Sequence, residues 1–301
     1  MMLKAGIIIF LFVFGVIIEN IRELSSFRTV IYEITSSKLK GIKKKKRMVF
    51  LSDLHNYNYG SENDKLLKAI KRSNPDLILI GGDMLVRKDG CSYKETLKTL
   101  SKLPEICPVY YANGNHEQKL KELPEQYKQS YKDYRNSLMQ MGIHFLENTS
   151  KEIFLDDMQF RITGLEIPLY GYARFGKRSL SVEEITTRIG DSKNSENIFE
   201  ILLAHNPMYM KEYFAWGADL ILSGHLHGGV IRLPFLGGVV APNFQLFPKY
   251  SGGIYREKKQ TAVVSSGLGS HSIPIRLWNH AELVVLELSM DKTCEKMENP
   301  V

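Results

Sequence analysis

At 301 residues, with 44% hydrophobic and 24% charged side chains, the chain has an ordinary globular composition, long enough for one large domain plus an appendage. Its 40 Lys and Arg exceed its 33 Asp and Glu, but seven of those cations fall in the window 38–47 (KLKGIKKKKR), and outside it 33 cations meet 33 acids. That distribution argues against a polyphosphate-binding surface, and three cysteines (Cys91, Cys107, Cys294) without CxxC spacing exclude a disulfide framework and read as inert thiols.

The first element is apolar throughout. Ala5 to Ile18 (AGIIIFLFVFGVII) carries no polar side chain and, at about 1.5 Å per residue, spans about 21 Å of a hydrocarbon core of about 30 Å. Lys4 can snorkel and Met1-Met2-Leu3 lengthen the segment, which makes it a slightly thin transmembrane anchor over residues 1–21. A cleaved signal peptide needs small residues at the cleavage site, where this chain has large β-branched ones; a buried core helix is the remaining alternative. Arg22, Arg28, Lys38 and the cluster beyond outweigh Lys4 and the α-amino group, which favours a cytoplasmic catalytic domain.

After a linker at 22–27, FRTVIYEIT has the composition of a strand and opens a domain at 28–290. The Lys-rich window then reads as a solvated connection beside the membrane, with attraction to anionic headgroups as its functional alternative. From Met48 the pattern alternates. MVFLSD is a strand, NDKLLKAIKRSN a helix with Leu66, Leu67 and Ile70 on one face, and DLILIGGD a second buried strand. A helix near 93–102, the strand PVYYANGN and a long charged helix at 119–141 follow, then strands within 145–163. Residues 168–197 have the Gly, Ser and charge of a surface excursion. The core resumes with IFEILLAHN, a helix near 208–215, ADLILSGHLH and strands to AELVVLELS, and 291–301 is a frayed tail. Short, near-continuous apolar strands separated by helices imply a sheet covered on its faces.

Five apolar strands end in groups able to bind metal. They deliver Asp53 and His55, Asp83, Asn115 and His116, His205, and His225 with His227. In open α/β sheets, ligands bind at the carboxyl ends of strands, so these groups can converge on one edge. Singly, each has a plain structural explanation: Asp53 as a cap, Asp83 as a turn residue after two glycines, Asn115 as a left-handed turn residue, His205 as a satisfied core histidine. Five such coincidences in one order make a metal site. Carboxylate, imidazole and amide ligands suit Mn, Fe or Zn, and two ions about 3.5–4 Å apart need a bridging carboxylate. Gly81, Gly82, Gly114 and Gly224 beside the ligands permit close backbone approach. His144 and His280 fit no such pattern and read as structural, and His271 stays ambiguous.

This order, D-x-H, GGD, GNHE, an isolated His and GHxH, resembles the calcineurin-like metallophosphoesterase superfamily over residues 28–290. The anchor, GHLHGG-x-I-R-L-P, Phe247-Pro248-Lys249-Tyr250 and SSGLG followed by Pro274-Ile275-Arg276 resemble its bacterial membrane-associated branch. That branch includes cell-envelope phosphoesterases and UDP-2,3-diacylglucosamine pyrophosphatases. Leu226 and Val230 replace the Thr and Gln of the family's GHTHGGQ, which bears on substrate contacts rather than on metal ligands. The resemblance implies an αββα sandwich of two mixed β-sheets flanked by helices. It also implies two divalent metal ions, Mn foremost with Fe or Zn as alternatives. Asp53, His55 and His227 would hold one, Asn115, His205 and His225 the other, with Asp83 bridging and His116 acting on the phosphoryl group or leaving oxygen. The implied activity is hydrolysis of a phosphomonoester, phosphodiester or pyrophosphate, on a small-molecule or lipid-linked substrate, by attack of metal-held hydroxide on phosphorus. A nuclease of the same fold and a non-catalytic metal-binding module are the competing expectations. Near-neutral charge outside 38–47 opposes the first, and the complete ligand set opposes the second.

Overall fold

The computed structural model describes residues 2–87, 92–127, 130–173, 179–193, 195–233, 236–241, 245–270 and 274–291. Cys91, His271, Cys294 and all but the first residue of the expected tail lie outside these. Helix α1 (Met2–Ser25) is continuous through most of the expected linker, and strand β1 (Phe27–Ser36) follows. Then come β2 (Lys46–Leu51), α2 (Asp64–Ser73), β3 (Leu77–Ile80), α3 (Lys94–Leu100), β4 (Val109–Tyr111), α4 (Asn115–Glu122), α5 (Tyr131–Gln140) and β5 (Ile143–Phe145). The second half holds β6 (Thr149–Leu155), β7 (Met158–Leu165), α6 (Val182–Ile189), β8 (Ile198–Ala204), α7 (Met210–Trp216) and β9 (Leu220–Ser223). It ends with β10 (Arg232–Leu233), β11 (Gly237–Gly238), β12 (Gly253–Glu257), β13 (Gln260–Val264) and β14 (Ala281–Met290).

Two six-stranded sheets form, ordered β1-β14-β2-β3-β4-β5 and β12-β13-β9-β8-β7-β6. Both are mixed: β2, β3, β4 and β5 run parallel while β14 opposes β2, and β7, β8, β9 and β13 run parallel with antiparallel edges. The period-2 alternation of a strand explains why the core strands are apolar at nearly every position. Met48 and Phe50 of β2 enter the layer between the sheets with Phe160, Phe199 and Leu222, while Val49 and Leu51 face the helical layer with Leu66, Ile70 and Leu138. A second helical layer packs Ile185, Met210 and Trp216 on the far sheet. The expected αββα sandwich is therefore the fold.

Three expectations change. The long helix at 119–141 is broken: α4 ends at Glu122, Pro124 starts a short 3-10 turn, and α5 begins with Ser130 capping the Asp133 amide. A proline cannot donate the helical hydrogen bond and disfavours helical backbone before it. The excursion at 168–197 is partly core, since Leu180, Ile185 and Ile189 are buried. The Lys-rich window is solvated at Lys40, Lys43, Lys44 and Lys45, as expected, but it does not lie beside the end of α1. β1 leads away from α1 for ten residues, about 33 Å at 3.3 Å per residue, before the window begins. Five of its seven cations are paired there: Lys38 with Asp219 (2.9 Å), Lys43 with Asp157, Lys46 with Asp156, and Lys45 and Arg47 with Glu287. The Lys38 pair is buried and clamps β9 to this edge, opposite α1, while the exposed Lys43 pair is a surface pair of small weight.

Candidate metal centre

Both sheets contribute to one edge. β2, β3 and β4 of the first sheet lead into Asp53 and His55, Asp83, and Asn115 with His116 at the start of α4; β8 and β9 of the second lead into His205 and into His225 and His227. All five strands point the same way, so their carboxyl ends meet. Asp53 Oδ1 lies 3.4 Å from His227 Nε2 and 3.7 Å from both His55 Nε2 and His205 Nε2. Asp83 Oδ2 lies 3.2 Å from His205 Nε2, 3.9 Å from His55 Nε2 and 4.0 Å from His116 Nε2. Three sets of potential ligand atoms, Asp53-His55-His227, His55-Asp83-His116 and Asp83-His205-His225, each fall within 4.8 Å of one another. Asp83 belongs to two of them. His144 stacks on Tyr110 and His280 pairs with Glu23 at 2.5 Å, so neither belongs to the cluster.

The backbone turns sharply to make this possible. Asp53, His55, Asp83, His225 and His227 all sit at φ between 50° and 71°, a region that L-residues seldom adopt and that concentrates at functional sites. β2 and β3 stop at their last apolar residue and β9 one residue later, at Ser223, and the first left-handed residue follows each within three positions. Gly114 and Gly224 give the necessary clearance, since a Cβ on either would overlap the Asp83 or the Asp53 carboxylate.

Hydrogen bonds assign the imidazole tautomers. His205 Nδ1 lies 2.7 Å from the Gly81 carbonyl and His227 Nδ1 lies 3.0 Å from the Gly269 carbonyl. A carbonyl only accepts, so each Nδ1 carries a proton and each Nε2 is the atom that would offer its lone pair to an ion in the cluster. His116 is the reverse: its Nδ1 accepts the Arg87 amide proton at 3.0 Å. In the neutral ring the proton is then on Nε2, the atom facing Asp83.

The electrostatics are those of a cation site. Burial opposes ionisation of both aspartates, yet His227 and His205 beside Asp53, and His205 and His116 beside Asp83, hold their carboxyls well below the usual range. His205, although its burial acts the other way, is raised to about 10 by Asp83 and Asp53, so without an ion its Nε2 also carries a proton, which a bound cation would displace. The Oδ1 of Asn115 is buried and takes no hydrogen bond, an unpaid desolvation that an ion would relieve. Oxygen and imidazole donors without a thiolate complete the fit to a divalent metal such as Mn, Fe or Zn.

Three residues with no role assigned from the sequence support the site. Glu117 is buried and accepts from the amides of Asp83 (2.8 Å), Met84 (2.9 Å) and Gly114 (3.1 Å) and from the Tyr111 hydroxyl (2.8 Å). It ties the GGD turn to the start of α4, and burial followed by the Asp83 charge raises its pKa. Its place directly after His116 was the available signal. Arg276, also buried, donates to the carbonyls of Ser266, Gly267, Gly269 and Asn279 and so fixes the loop whose Gly269 holds His227. Tyr172, in the supposed surface excursion, sets its ring edge-to-face with His225 at 5.1 Å between centroids.

A model of the family described as calcineurin-like phosphoesterase matches residues 46–229. Among relatives, the phosphodiesterase YaeI of Escherichia coli is 26% identical over 245 residues, 80% of this chain and 82% of its own. The uncharacterized metallophosphoesterase YkuE of Bacillus subtilis is 26% identical over 246 residues, 80% of this chain and 78% of its own. A bovine transmembrane protein with a metallophosphoesterase domain is 27% identical over 253 residues, 80% of this chain and 52% of its own. Among solved structures, TT1561 of Thermus thermophilus matches with a TM-score of 0.46 and 12% identity over 74% of this chain and 90% of that one.

Proposed function

This chain belongs to the calcineurin-like phosphoesterase family and is a metal-dependent phosphoester hydrolase, and from that premise we propose how its own residues divide the work. Asp53, His55 and His227 would hold one divalent ion and Asn115, His205 and His225 a second, with Asp83 available to both. Manganese is the first metal to test, then iron and zinc. Bound ions supply acidity to water and neutralise phosphoryl oxygens. The protein orients them: the Gly81 and Gly269 carbonyls fix His205 and His227, and Glu117 fixes the turn that carries Asp83. His116 offers its Nε2 proton to the leaving oxygen, and the Arg87 amide keeps that proton on Nε2. The opposite partners at Nδ1, an amide N–H on His116 and a carbonyl on His205, are the observation that supports this division most directly.

The substrate is a phosphoester or pyrophosphate met at a membrane surface, with residues 1–21 as anchor, 28–290 as catalytic domain and 291–301 as tail. Helix α1 supports this: it is long and apolar enough to span a bilayer, and none of its apolar window is buried in the protein. A phosphodiester comes first among the ester classes, as suggested by the name of the E. coli relative. The excess of cations after the apolar run, Arg22 and Arg28 first, favours a catalytic domain on the cytoplasmic side. A nuclease role is disfavoured because the Lys-rich window lies on the far edge from the metal cluster and is largely paired. The test is a hydrolysis screen of nucleotides, sugar nucleotides and lipid phosphates, using chelated full-length protein in vesicles with manganese restored. Turnover of a lipid-embedded phosphoester or pyrophosphate well above any soluble analogue supports the reading; preference for soluble nucleotides would refute the membrane-substrate part.

A further inference from the structure

The end of α1 is bound to the catalytic domain at the 274–280 loop and at Tyr57. Asn20 donates through Nδ2 to the Pro274 carbonyl (3.3 Å) and accepts from the Arg276 amide (2.8 Å). Glu23 pairs with His280, and the Tyr57 hydroxyl donates to the Leu24 carbonyl (2.6 Å). The apolar run ends at Ile18, so the bilayer surface lies level with residues 274–280. That loop pairs in turn with the segment after the GHLH motif, through the Ile231–Leu277 bridge and the Arg232 amide donating to the Leu277 carbonyl at 3.0 Å.

Between these two segments opens a cavity of about 890 Å³, a size typical of small-molecule sites. Leu236, Phe247 and Trp278 are among its lining residues and are 64%, 58% and 52% exposed, with Ile275 on the same loop 41% exposed. A contiguous apolar patch of this kind marks an interaction site, and an exposed tryptophan at the level where a helix leaves a bilayer matches the interfacial belt. Phe247 and Trp278 both hold left-handed backbone, at φ of 46° and 51°. For bulky residues that conformation is costly, and here its result is two aromatic rings presented outward. Arg232 and Lys249 also line the cavity, and among the described lining residues there is no acid.

We infer that this cavity takes the hydrocarbon chain of an anionic bilayer phospholipid, with the lipid's phosphate beside Lys249 and Arg232. The inference rests on α1 being a membrane anchor and is independent of the identity of the substrate. Its consequence is orientation. Asn279, next to Trp278, donates to the His227 carbonyl at 2.7 Å, so a lipid held here seats the metal-bearing edge on the membrane.

The chain contains two tryptophans, which makes the test direct. Trp216 is buried under the far sheet, with its indole N–H on the Gly190 carbonyl, and serves as the internal control. Full-length protein would be placed in nanodiscs of phosphatidylcholine and phosphatidylglycerol with brominated or unbrominated chains, and tryptophan emission compared. Bromine quenching in the wild type that Trp278→Phe abolishes is the expected result. Phe247→Asp should weaken the quenching of Trp278 several-fold while Trp216 emission and bound metal stay at wild-type levels. Incorporation without quenching of Trp278 would overturn the inference, as would full quenching in Phe247→Asp, which would mean that the indole meets the bilayer with no chain in the cavity. Failure to incorporate at all would overturn the anchor reading and this inference with it, while leaving the metal-site reading intact.

Discussion

Glu117→Gln isolates how the metal turn is supported, because it changes one atom's chemistry and almost no volume. Each carboxylate oxygen of Glu117 takes two bonds: Oε2 from the Asp83 and Gly114 amides, Oε1 from the Met84 amide and the Tyr111 hydroxyl. An amide nitrogen cannot accept, so one pair is lost whichever way the side chain turns. The less costly orientation puts the nitrogen at the Oε1 position, where the Tyr111 hydroxyl can rotate to accept from it. The Met84 amide is then a buried donor without a partner, which costs about 1–3 kcal/mol. For a domain of this size that corresponds to a fall of roughly 2–12 °C in Tm, at about 2–4 °C per kcal/mol. Thermal unfolding followed by Trp216 emission in detergent reads it, and metal content should fall in parallel because the Asp83 amide shares the same carboxylate. An unchanged Tm with full metal content would refute the idea that this carboxylate organises the turn.

His116→Ala should lower kcat by about 100- to 10,000-fold, the usual range for a general acid, with bound metal near the wild-type amount, and a substrate with a very good leaving group should recover part of the loss; loss of metal would instead make His116 a ligand. Lys38→Met leaves Asp219 buried without its cation and should cost about 3–5 kcal/mol in chemical denaturation; a change near zero would mean the pair is solvated. Exchanging Lys43 to Lys46 for glutamine should leave vesicle association and its salt dependence unchanged, because these residues lie a ten-residue strand away from the end of α1. A marked drop in low-salt binding would place that edge against the bilayer.

The layout of the core was legible because two-sided burial leaves a plain mark. MVFL, LILI and ILLA are apolar at successive positions since both faces of those strands are covered. The candidate ligands were legible because five such runs in succession all end in groups able to bind metal, although each alone has a plain structural explanation. The left-handed backbone at Asp53, His55, Asp83, His225 and His227 was not, since glycine and asparagine are the strong signals of positive φ and none of these is either. Tautomers were equally hidden, because Gly81, Gly269 and the Arg87 amide act through backbone atoms that have no side-chain signature. The Lys-rich window misled through sequence proximity. It follows α1 closely in the chain, but one strand carries it to the opposite edge, where Asp156, Asp157, Asp219 and Glu287 meet it from distant positions. Pro124 was a readable break in the helix at 119–141, and the charged residues on either side concealed it.

The central claim is that this cluster of aspartate, asparagine and histidine side chains holds the metal on which hydrolysis depends. The direct measurement counts metal per chain and hydrolysis of a chromogenic phosphodiester in one titration, starting from chelated wild type and chelated Asp83→Asn and adding manganese. The account predicts no turnover in the stripped wild type, recovery as about two ions per chain bind, and neither recovery nor full occupancy in Asp83→Asn. Turnover by the stripped wild type, or full occupancy and rate in Asp83→Asn, would contradict it.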